Sequence, residues 1–159
     1  MGNAPPTVTA TRRKASLAAA LGGLVLLLSA TLQAAATGTL FCTIDDRNLS
    51  FNLLGHTSIE HGAILDVHDG SLKLKAARSV GKEIEFPVSM ENIFMQWDFD
   101  SDLRFAIRIE DPDRSREIVL AIIAARNEKL EKYLGRYVLQ LVGGNKTERL
   151  EGPISCEGD

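Results

Sequence analysis

The chain has 159 residues, 45% of them hydrophobic and 25% charged, with 18 Lys and Arg against 21 Asp and Glu and only two cysteines. This is a globular composition, long enough for one domain with its own core. Setting aside the three basic residues of the first 36 positions leaves 15 against 21 acids, a net charge of −6. These basic residues are scattered, which argues against a nucleic-acid partner, since a phosphate backbone calls for a clustered basic face.

The first segment reads as a secretory signal. Arg12, Arg13 and Lys14 precede the apolar run "ASLAAALGGLVLLLSA", and Ala34-Ala35-Ala36 form a small-residue cleavage site. Residues 1–36 are therefore expected to be removed, leaving a single exported domain over 37–159 that is periplasmic or secreted. No stable membrane span is expected after cleavage, because the run is broken by Ser16, Gly22, Gly23 and Ser29 and is short of the roughly 20 residues a span needs. The arginine pair also occurs in twin-arginine signals. Lys14, Ala15 and Ser16 lack the bulky apolar residue that usually follows it, so the general secretory route is the favoured reading.

Cys42 in "TLFCTID" and Cys156 in "PISCEGD" lie at opposite ends of the exported part. In an oxidising compartment an even count favours a disulfide, here one that clasps the first strand to the last. No CxxC spacing supports a thiol metal site or a redox pair.

Period-two alternation then runs along the chain. "NLSFNLL" puts Leu49, Phe51 and Leu53 on one face; "AILDVHDG" puts Leu65 and Val67 inward and Asp66 and His68 outward. Asp69-Gly70 signals a type I′ hairpin turn, after which Leu72, Leu74 and Ala76 face in. "KEIEFPV" continues with Ile84, Phe86 and Val88, and Pro87 marks an edge. "SMENIFMQW" is compatible with a short helix. "DLRFAIRIE" is the clearest strand, with Leu103, Phe105, Ile107 and Ile109 inward, and "DPDRS" turns the chain. Residues 115–134 fit a helix ending at Gly135 or a strand "EIVLAIIAA" followed by a hairpin. The β-branched content favours the strand. "GRYVLQLV" places Tyr137, Leu139 and Leu141 together, before a tight turn at Gly143-Gly144-Asn145. The expected fold is all-β, a small sandwich or barrel of about 7–8 mostly antiparallel strands, with 115–134 as the one candidate helix.

"HTSIEHGAILDVHDG" holds all three histidines. Alternation sets Asp66 and His68 about 7 Å apart on one face, and His56, His61 or Glu60 would complete a ligand set suited to zinc or copper. The competing reading is a solvated strand face. Asp98, Asp100 and Asp102 share the alternate spacing of calcium loops, but Leu103 stands where the loop needs glycine and Ile109 where it needs glutamate. Trp97, Tyr133 and Tyr137 are candidates for an aromatic patch or for plain packing. No Gly-x-Ser-x-Gly or other nucleophile motif is present. The sequence thus points to a non-enzymatic binding or accessory domain of the bacterial envelope, without a cofactor, its partner an envelope protein or small ligand. The alternative is a metal-binding or metal-dependent protein using His56, His61, Asp66 and His68.

Overall fold

Alternating burial, with apolar side chains turned inward at every second position, runs through nearly every segment that the computed structural model describes, namely residues 37–58, 63–75, 82–99, 102–144 and 146–158. Nine strands result: β1 (Thr37–Asp45), β2 (Leu49–Ser58), β3 (Ile64–Leu74), β4 (Ile84–Pro87), β5 (Ile93–Phe99), β6 (Asp102–Asp111), β7 (Arg116–Asn127), β8 (Lys132–Gly143) and β9 (Lys146–Gly158). They form one antiparallel sheet in the order β4-β3-β2-β1-β9-β8-β7-β6-β5. The fold is all-β, as the alternation predicts, with one strand more than expected. It is a single sheet curled into a half-barrel rather than two stacked sheets. The inward faces of β1 to β3 and β6 to β9 merge in one core that includes Leu40, Phe51, Leu72, Phe105, Leu120 and Leu139.

Residues 115–134 are not helical. β7 buries Ile118, Leu120, Ile122 and Ala124 at strict period two, and its β-branched residues suit a pleated surface better than a helix. The polar stretch after it makes the hairpin turn, where the Asn127 side chain accepts hydrogen bonds from the backbone of Lys129 and Leu130 and Glu131 takes a left-handed conformation. In "SMENIFMQW" only Met90–Asn92 coil, as a single 3₁₀ turn capped by Ser89, and the stretch from Ile93 on is β5. The turns at Pro112–Arg114 and Gly144 lie where the sequence predicts them.

The hairpin expected at Asp69-Gly70 does not exist. β3 runs straight through both residues, with Asp69 opposite Leu54 and Gly70 opposite Leu53. Gly70 is needed here for close approach instead of for a turn. A Cβ on it would lie 2.6 Å from the Val88 carbonyl oxygen, and the Val88 amide donates to the Gly70 carbonyl at 2.8 Å. Leu65, expected inward, is exposed, and Val67 is half-buried. Ala76 lies outside the described residues, as do Glu60, His61, Asp100, Asn145 and residues 1–36.

Two features hold the curl. β5 has no backbone ladder to β3, yet the Gln96 side chain bridges them: its Oε1 accepts from the Ile64 amide at 2.9 Å and its Nε2 donates to the Ile64 carbonyl at 3.2 Å. On the other side β1 meets β9 through only four registered pairs, from Leu40 opposite Gly158 to Thr43 opposite Ser155. Cys42 and Cys156 face each other within this ladder, 4.0 Å apart at Cα, and are joined by a fully buried disulfide. The bond closes a loop spanning 114 positions, so its effect on the unfolded chain is large. Replacing both cysteines with alanine is expected to lower unfolding free energy by about 2–5 kcal/mol. Denaturant titration of the oxidised protein against the double variant checks this, and coincident midpoints would show that the short ladder suffices alone.

Candidate functional site

β2 turns Leu49, Phe51 and Leu53 into the core, which leaves His56 on the opposite, outer face. β3 pairs with β2 but contains two residues without a partner there: His68, between the Leu54/Asp69 and Gly55/Val67 pairs, and Leu65, between His56/Asp66 and Thr57/Ile64. These bulges change which residues share a face. Asp66 comes directly opposite His56, and the extra residue His68 joins them on the outside. Gly55 makes the first bulge possible. A Cβ at that position would stand 2.2 Å from the Asp66 carbonyl oxygen.

The resulting cluster is tight. His68 Nε2 lies 2.9 Å from His56 Nδ1, with the rings edge to face at a centroid distance of 4.4 Å. Asp66 Oδ2 is 3.7 Å from the other nitrogen of His68, Nδ1. One ligand atom from each of the three residues lies within 4.8 Å of the others. Asp66 and His68 are exposed and His56 is half-buried, so solvent reaches the site. Two zinc-bound nitrogens at 2.0–2.1 Å and a tetrahedral angle stand about 3.3 Å apart, a few tenths of an ångström more than the two imidazoles show. A small ring rotation would therefore admit an ion between them. Asp66 can then serve as a third ligand or hold the Nδ1 proton of His68, which directs the Nε2 lone pair toward the ion. Of the five residues the sequence offered, His56, Asp66 and His68 come together, while Glu60 and His61 lie outside the described residues.

The three aromatic candidates do not converge. Tyr137 is fully buried in β8, while Trp97 is exposed on β5 and Tyr133 packs against the core near Arg126, so they form no common patch. Of the three aspartates, Asp100 and the side chain of Asp98 lie outside the described residues, and the Asp102 carboxylate accepts from Arg104.

Among the described residues the most strongly displaced titratable group is Tyr137, which the alternation sets on one face with Leu139 and Leu141. Its hydroxyl donates to Asp46 Oδ2 at 2.5 Å and accepts from Asn48 Nδ2 at 3.0 Å. Burial and the neighbouring carboxylate push it up to about 12. Burial alone would raise Asp46. The hydrogen bonds from Tyr137 and from the Asn48 and Leu49 amides, with Lys75 nearby, outweigh that and leave its carboxyl below the ordinary value. The Tyr137 hydroxyl and both carboxylate oxygens of Asp46 have partners, and the set ties the β1–β2 turn to β8; its role is structural. The sequence signal for it is the turn "DDRN", where Asp two residues before Asn can cap its own turn.

The sign of the pH effect follows. A tyrosine with a raised folded pKa contributes fully below its unfolded value near 10 and loses that contribution as pH rises toward about 12. Asp46 acts oppositely, contributing above the unfolded carboxylate value of about 3.9 and losing its effect as pH falls through its lower folded value. Denaturation midpoints of the protein and of Tyr137→Phe, compared from pH 9 to 12, should converge as the pH rises. A constant gap would mean that the hydroxyl does not titrate with unfolding.

Among the described residues no helix is long and apolar enough to cross a membrane. Comparison with known protein families, curated proteins and solved structures finds no match to this chain. The functional reading therefore rests on the geometry of these residues.

Proposed function

We propose that this chain is an exported protein of the bacterial envelope, periplasmic or secreted after loss of residues 1–36, that binds rather than transforms its ligand, and that the ligand is a divalent transition metal held by His56, Asp66 and His68. The observation that carries the reading is the convergence of two imidazoles and one carboxylate within 4.8 Å on a doubly bulged strand. Imidazole with carboxylate suits zinc or copper(II) better than magnesium or calcium, which favour oxygen-only shells. The Cys42–Cys156 disulfide supports the exported address, since such bonds persist in oxidising compartments. The net charge of −6 over residues 37–159 is compatible with attraction of a cation.

Calorimetric titration with Zn(II) and with Cu(II) is expected to show one ion per chain. His68→Ala should abolish the signal, and Asp66→Asn should weaken it about 10–100-fold, the range typical of groups that orient a metal-bound histidine. Equal binding by the protein and His68→Ala would place the metal elsewhere and end this reading.

A further inference from the structure

A second feature lies at the end of the half-barrel formed by the β6–β7 and β8–β9 turns, on residues separate from the histidine cluster. The inward register of β6, which buries Leu103, Phe105, Ile107 and Ile109, continues to Asp111, and that of β7 begins with Arg116 before Ile118 and Leu120. Two charged groups therefore cap the core at its open end. Asp111 Oδ2 accepts from Arg116 Nε at 2.9 Å, with Arg114 Nη1 at 3.5 Å. The side chains of Asp111 and Arg116 are only 3% and 7% exposed. Arg116 Nη2 is nevertheless without any hydrogen-bond partner although it is buried. A guanidinium nitrogen in that condition is costly unless something polar completes it.

Beside it opens a cavity of about 810 Å³, within the range of small-molecule sites and at a barrel mouth, where such sites recur. Its walls include Arg114, Arg116 and Lys146, opposed by Glu148, with Leu141 and the backbone of Gly143 supplying apolar surface. Three cations against Asp111 and Glu148 leave one positive charge without a partner of opposite sign. We propose that this cavity binds a small organic monoanion, a carboxylate with an apolar body. The carboxylate meets Arg116 and Lys146, the planar guanidinium fork matches its two oxygens, and the body lies along Leu141. Inorganic phosphate, with up to two charges and no apolar part, fits the balance less well. Nη2 is covered in the free protein, so binding includes a small shift of the side chains above it.

The test is an amide chemical-shift titration of the full-length, oxidised protein with hexanoate, acetate and inorganic phosphate at constant ionic strength. Hexanoate should saturate, shift amides around Arg114–Glu117, Gly143 and Lys146–Glu148, and bind at least tenfold more tightly than acetate or phosphate. Lys146→Ala removes an exposed group and should weaken hexanoate at least fivefold while leaving the remaining spectrum intact. Arg116→Lys keeps the buried charge but loses the fork, and should weaken binding in a folded protein. Non-saturating shifts, shifts spread over basic residues elsewhere, tighter phosphate than hexanoate, or affinity unchanged in both variants would each overturn the proposal.

Discussion

The pairing of β1 with β9 is the contact on which the molecule depends. Every other ladder joins strands that are adjacent in sequence and forms as a local hairpin, so β1 to β4 and β5 to β9 are two meanders linked in sequence through the 3₁₀ turn at Met90–Asn92. Only the pairing of β1 with β9 joins them into one sheet. That ladder has four registered pairs, and a disulfide sits inside it with both sulfur-bearing residues at zero exposure. The covalent bond is placed within a short ladder, at the one pairing whose closure costs the most chain entropy. Gln96 performs a weaker version of the same task at the opposite seam, its side-chain amide standing in for a strand peptide.

Polar groups that enter the inward face divide into two kinds. Tyr137 carries its hydroxyl to Asp46 and Asn48, where the carboxylate is also satisfied by two backbone amides, so the hydroxyl and the carboxylate are held within the fold. Asp111 and Arg116 form a buried pair that leaves one guanidinium nitrogen uncompensated beside a cavity. Removing one member of such a pair costs far more than the pair itself contributes, because a lone charge would remain in the interior. A strongly displaced ionisation thus marks the structural network in this protein, while an unsatisfied donor marks the proposed site.

The histidine cluster owes its existence to irregularity. In a regular β3, residues 66 and 68 would stand about 7 Å apart along one face, and the hairpin expected at Asp69-Gly70 would have carried the strand away from β2. Continuous pairing and two bulges instead set Asp66 against His56 and swing His68 onto both. Gly55 permits this by letting the two backbones approach where any side chain would collide with the Asp66 carbonyl. Gly70, which looks like a turn signal in isolation, serves close contact with the Val88 backbone instead.

The sequence by itself determined the all-β class, the inward faces of β2, β6 and β8, the turns at Pro112 and Gly144, and the disulfide partners. Each follows from residue type, two-residue alternation, or there being only two cysteines. Residues 115–134 were legible only as two alternatives, because a run of buried aliphatic residues satisfies both periods until a neighbouring strand is present. Tertiary structure decided the ninth strand, the single curled sheet and the continuity of β3. It also decided the meeting of His56 with Asp66 and His68, the network at Tyr137, and the charged mouth at Arg116. All of these are set by register between strands, and a shift of one residue in register exchanges the faces of a strand without changing its sequence.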